Sequence, residues 1–114
     1  MSVKLNTRQV GDVTVIDISG RVTLGEGSSA IREAMRDLIA KGNKKILLNL
    51  SEVSYIDSTG IGELVAGFTS AASAGGTVKL LGVTKHVKDV LQISRLYTVF
   101  EAHDDEAHAV RSFA

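Results

Sequence analysis

Residues 55–62 read YIDSTGIG, Tyr55-Ile56-Asp57-Ser58-Thr59-Gly60-Ile61-Gly62. An apolar run, Ile46-Leu47-Leu48-Asn49-Leu50, comes before them, and Leu64, Val65 and Phe68 follow at helical spacing. A strand therefore hands over to a helix here. The handover carries one carboxylate, two adjacent hydroxyls and two glycines, far more polarity and less bulk than a simple turn needs.

Outward from that point the chain alternates between two periods. Upstream, KKILLNL is a short continuous apolar run of the kind found in a central strand covered on both faces. Before it, Ile31, Ala34, Met35, Leu38 and Ile39 recur at three and four residues. They predict an amphipathic helix over about 28–41, capped by Ser28 or Ser29 and closed by Gly42-Asn43. Residues 3–9 and 13–20 each alternate, and the Val10-Gly11-Asp12 turn between them predicts an opening hairpin whose second strand is half-buried. Downstream, a helix over about 58–74 stops at Gly75-Gly76, and TVKLLGV gives a strand. KHVKDVLQIS gives a short helix, YTVFE a last strand, and DDEAHAVRSF a final turn or two of helix. This order predicts an α/β fold: a mixed, mostly parallel sheet of about four to five strands against amphipathic helices, in one domain over residues 1–114. Ile31, Leu38, Ile46, Leu48, Leu50, Leu64, Val65, Phe68, Leu80 and Leu91 are the expected core.

Composition narrows the function. The 114 residues carry 13 basic and 13 acidic side chains, and this balance argues against a general affinity for nucleic acid or anionic membrane. There is no cysteine, hence no disulfide framework, thiolate nucleophile or thiolate metal site. No run approaches the roughly 20 apolar residues that cross a bilayer, and the N-terminal stretch lacks a signal-peptide core, so a cytoplasmic protein is expected.

Several motifs invite an enzymatic reading. Gly25-Glu26-Gly27-Ser28-Ser29-Ala30 fits the dinucleotide pattern G-x-G-x-x-G/A, but it does not follow its strand tightly and no acidic residue stands at the tip of the next strand. A helix-entry loop explains it better. Asp57-Ser58-Thr59-Gly60 has its glycine one residue late for an aspartic protease, and no second copy supplies a paired carboxylate. Ile56 stands where a nucleophile elbow around Ser58 would need glycine. His103, Asp104, Asp105 and His108 cluster near the C-terminus with Asp104 and His108 at i, i+4; a solvated face is the expected meaning, with no metal or other cofactor. Lys85, Lys88 and Arg95 flank a helix and are likewise read as solvent-facing.

A hydroxyl pair at a helix start remains. Capping alone is satisfied by Asp57 or Ser58. Gly60 and Gly62 exceed it, because each costs roughly 0.5–1 kcal/mol in a helix relative to alanine. Two glycines would leave Ser58 unshielded and let a partner's backbone approach. An exposed hydroxyl there also suits phosphorylation, since the helix dipole and free N–H groups tolerate a dianion.

At this point the sequence resembles the STAS domain family, and within it the single-domain anti-sigma factor antagonists (anti-anti-sigma factors) of bacteria. LLNLSEVSYIDSTGIGELV is similar to that family's apolar strand, short loop and Asp-Ser-Ser/Thr-Gly-Leu/Ile-Gly helix entry; ISGRV resembles its second strand. AGGTVKLLGVTKHVKDVLQISRLYTVFE resembles its glycine turn, fourth strand and following helix. The resemblance implies a non-enzymatic partner switch in transcription regulation. Ser58 (Thr59 second) would be phosphorylated by an anti-sigma factor serine kinase and reset by a PPM-type phosphatase. The unphosphorylated form would bind the kinase and release the sigma factor. Asp57, Ser58, Thr59, Gly60, Ile61, Gly62, Arg21 and Thr23 would contact the partner. Thr23 stands where the family commonly carries an aspartate in Gly-Glu/Arg-x-Asp, a departure in the loop that touches the partner. A constitutive scaffold or transport-complex subunit, and a small nucleotide-binding enzyme at residues 25–30, are the alternatives.

Overall fold

The computed structural model describes residues 3–23, 25–93 and 100–113. Two strands open it, β1 (Val3–Val10) and β2 (Val13–Val22). Then α1 (Glu26–Ala40), β3 (Lys45–Ile56), α2 (Ser58–Ser73), β4 (Thr77–Leu81), α3 (Lys85–Ile93), β5 (Ala102–His103) and α4 (Glu106–Arg111) follow. The five strands form one sheet in the order β1-β2-β3-β4-β5. β1 pairs antiparallel with β2, and every later pairing is parallel. The sheet is thus mixed and mostly parallel, and the fold is α/β as its alternating periods require.

Both faces of the sheet are covered, unequally. Ile16, Ile18 and Val22 of β2, Ile46, Leu48 and Leu50 of β3, and Leu80 of β4 pack under Ile31 and Met35 of α1, Leu64 of α2 and Val87 of α3. The opposite face buries Val13, Val15, Leu47 and Leu81 against Ala109 of α4, with Val110 and Phe113 beside them. Lys79 anchors this smaller layer. Its Nζ donates to the Ser112 carbonyl at 2.8 Å and the Ser112 hydroxyl at 2.9 Å, pairs with Glu101 at 3.0 Å, and lies over the Phe113 ring. β2 is therefore buried on both faces at its start rather than half-buried as its alternation suggested, because α4 returns to cover the second face. Leu38, Val65 and Phe68 pack against the main core only partly buried.

Helix ends follow local chemistry. Gly42, at φ +87°, closes α1 with a Schellman pair, Gly42 N–H to Ile39 at 3.0 Å and Asn43 N–H to Leu38 at 2.9 Å. The other end of α1 corrects the expected cap: the cap position is Gly25, and Ser28 lies inside the helix, buried. The two-residue β5 pairs Ala102 with Leu80 and His103 with Leu81, so among the described residues the last strand falls just after YTVFE. Residues 97–99 of that stretch, and Arg95, lie outside the described residues.

Candidate functional site

β2 and β3 run side by side to a common end, where Val22 stands opposite Ile56. β3 is longer than its apolar run. It continues through Ser51–Ile56 across two register shifts, so no loop separates strand from helix. Asp57 makes the handover. Its N–H donates to the Val22 carbonyl at 3.2 Å, its own carbonyl accepts from Ile61 at 3.0 Å, and its Oδ1 accepts from the Gly60 N–H at 2.8 Å. It is the N-cap of α2.

The motif residues then divide. Ser58, the first helical residue, is exposed, and Thr59 is half-buried. Gly62 is exposed, and a β-carbon there would meet nothing within 4 Å. Of the expected docking set, Gly60 and Ile61 are buried. A β-carbon on Gly60 would lie 2.8 Å from Ile56 Cγ1 and 2.9 Å from Val22 Cγ1, and closer still to the Val22 carbonyl. Gly60 lets α2 sit against the end of β2; only Gly62 leaves the surface open.

The start of α1 meets the same strand end. A β-carbon on Gly27 would stand 2.8 Å from the Arg21 carbonyl, so this glycine too permits close backbone packing. Ser28 donates to the Thr23 carbonyl from its N–H at 3.1 Å and its hydroxyl at 2.8 Å. Gly27 thus serves the chain's own backbone, and Gly25, at φ +100°, makes the entry into α1. Thr23 is half-buried between these elements, and the Arg21 side chain is exposed.

Arg21 brings in two residues the sequence did not single out. Its guanidinium lies 4.7 Å from the centre of the Tyr55 ring, its partner across β2 and β3. The His86 ring stacks on Tyr55 at 4.8 Å and 22°, with His86 Nε2 3.3 Å from the Ile56 carbonyl. Tyr55 stays 38% exposed, an aromatic in contact with both Arg21 and His86 two residues before Asp57. Only knowing that β3 continued past Leu50 would have paired Tyr55 with Arg21.

At the C-terminus, Asp105 caps α4 by accepting the His108 N–H at 2.9 Å, and His108 meets His103 rather than Asp104. Among the described residues no group of three or more His, Asp or Glu side chains is arranged to hold a metal. Lys85 and Lys88 are exposed, Lys85 pairing with Asp89 at 3.1 Å. No helix among the described residues is long and apolar enough to cross a membrane.

Known proteins share this fold. The chain is similar to a candidate anti-sigma factor antagonist of Thermotoga neapolitana, 35% identical over 74 residues, which span 65% of this chain and 66% of that one. It is 25% identical to the anti-sigma-B factor antagonist of Bacillus subtilis over 101 residues, 89% of this chain and 91% of that protein. A crystal structure of a candidate anti-sigma factor antagonist from Thermotoga maritima superposes with a TM-score of 0.88 at 26% identity, covering 96% of this chain and 93% of that one. The anti-sigma factor antagonist SpoIIAA in its unphosphorylated form shares the fold, with a TM-score of 0.73 at 19% identity and 96% of both chains covered. The STAS domain model matches residues 4–109, and the chain belongs to the STAS domain family, alongside the bacterial anti-sigma factor antagonists.

Proposed function

We propose that the protein is an anti-sigma factor antagonist working as a phosphorylation-controlled binding module without catalysis of its own. The unphosphorylated form binds an anti-sigma factor serine kinase, which then lets go of its sigma factor. Phosphorylation of Ser58 blocks that binding, and a PPM-type phosphatase restores it. One observation carries the reading: Ser58 is exposed at the first position of α2, held there by the Asp57 cap and flanked by the open surface at Gly62. The half-buried Thr59 is the poorer acceptor. The docking surface combines Asp57, Ser58, Thr59 and Gly62 with the Arg21 and Thr23 strand end, and the exposed Tyr55 ring, packed against Arg21 and His86, adds an aromatic anchor of the kind that dominates interfaces.

The test is incubation with the cognate anti-sigma factor kinase and ATP, followed by mass spectrometry. One phosphate on Ser58, and none on a Ser58→Ala variant, is the expected result. Modification confined to Thr59, or none with a kinase that binds the protein, would overturn the assignment.

A further inference from the structure

We infer that His103 and His108 are the two protein ligands of a transition-metal site of the zinc class, with Glu101 holding His103 in the ligating tautomer. His103 stands on β5 and His108 in the first turn of α4. Their Nδ1 atoms face each other at 3.2 Å, with the rings at 66°. Two imidazole nitrogens bound tetrahedrally to one zinc at about 2.0–2.1 Å each are themselves about 3.3 Å apart. The pair therefore already has the spacing a metal imposes.

Glu101 supplies the second element of such a site. Its Oε2 lies 2.5 Å from His103 Nε2. A carboxylate there keeps the ring proton on Nε2 and leaves the Nδ1 lone pair free, the arrangement that orients metal-ligating histidines. Without metal, His108 Nδ1–H donates to His103 Nδ1. On binding, that proton moves to His108 Nε2, which frees the His108 Nδ1 lone pair for the metal. The His103 side chain is only 11% exposed and fixes one ligand, whereas His108 is exposed and leaves room for water to complete the coordination. Lys79 Nζ shares the Glu101 oxygen at 3.0 Å and repels a cation, which keeps the affinity modest. Nitrogen ligands with water favour zinc, copper or nickel over magnesium or calcium.

Isothermal titration with zinc chloride at neutral pH tests the site, using the wild type, His103→Gln, His108→Ala and Glu101→Gln. We expect one sub-millimolar zinc per chain, lost in either histidine variant and weakened about tenfold or more in Glu101→Gln. Long-range nitrogen NMR should show zinc shifting Nδ1 of His103 and His108 while His86 is unmoved. Circular dichroism checks each variant's fold, and the exposed His108 side chain makes His108→Ala the decisive one. No binding by the wild type up to millimolar zinc, or the same affinity in a folded His108→Ala, would overturn the assignment.

Discussion

Gly60 lies so close to Val22 that a β-carbon on it would stand less than 3.0 Å from the Val22 carbonyl oxygen and from Val22 Cγ1. The neighbour is backbone and cannot swing aside. Gly60→Ala should therefore cost about 1–3 kcal/mol, the range for overpacking a filled site. Gly62→Ala should instead stabilise by roughly 0.5–1 kcal/mol, since its surroundings are open and alanine is the better helix former. Gly67→Ala is the intermediate case: its β-carbon would meet the flexible end of Met35, which can move. Urea unfolding of the three variants should rank them Gly62, Gly67, Gly60 from most to least stable.

Asp57 sets the start of α2, and its loss should be felt mainly as stability. Removing an N-cap costs about 0.5–2 kcal/mol, and asparagine caps nearly as well as aspartate. Asp57→Ala should lower the urea midpoint, while Asp57→Asn should stay close to wild type. Equal destabilisation by both would mean that the charge, and not the hydrogen bond to Gly60 at 2.8 Å, does the work.

Most of the architecture was legible because each element kept one period. The 3.6 spacing of Ile31, Met35 and Leu38 and the continuous Ile46–Leu48 run admit few other folds. What failed to show has physical causes. Ser51, Glu52, Ser54 and Tyr55 read as loop because the two register shifts between β2 and β3 break the alternation that marks a strand. The role of Gly60 was invisible because a glycine needed for backbone contact inside the protein looks the same in sequence as one that leaves a surface open. Ser58 was legible as an exposed position because a helix start after a buried strand has only one outward direction. The Arg21–Tyr55–His86 stack joins residues 30 or more apart and depends on the strand that the pattern hid.

Acid should weaken the contact between the opening hairpin and α4. Arg8 donates to Asp17 at 2.7 and 3.1 Å and to Glu106 at 3.0 and 2.6 Å, and Asn49 adds a bond to Asp17 at 2.8 Å. The Arg8 hydrogen bonds hold both carboxyls below their ordinary values of 3.8 and 4.5. Groups with lowered folded pKa values contribute stability above their unfolded values, and that contribution is lost as pH falls through the folded ones. It should thus be complete above about pH 4.5 and fade below it. All three side chains are about a third exposed, so solvent screening limits the network to about 1 kcal/mol. Arg8→Gln should be less stable than wild type by that amount at pH 7, with the gap closing in strong acid. Urea midpoints at pH 7 and about pH 2.5 check this; a gap that persists in acid would show that Arg8 acts through packing.

The switch assigned to Ser58 makes the sharpest demand. Phosphoserine carries about −1.5 to −2 charges at neutral pH. Within the domain it meets the partial positive charge of the α2 start, worth about 0.3–1 kcal/mol, and the unfavourable carboxylate of Asp57. These effects oppose each other at an exposed position, so the domain should stay folded with little rearrangement. A partner seated over Ser58 and Gly62 has no such indifference. It must strip water from the charge, at a cost of several kcal/mol unless it supplies a matching cation. Since each 1.4 kcal/mol is a factor of about ten in affinity, Ser58→Asp should bind the kinase partner at least about tenfold more weakly than wild type. Ser58→Ala should bind as well as wild type and resist switching off. Calorimetric titration reads both, with circular dichroism and thermal melts to establish that each variant is folded. Equal affinity of folded Ser58→Asp and Ser58→Ala would mean that charge at position 58 is not the switch, and would favour a constitutive scaffold whose serine is never modified.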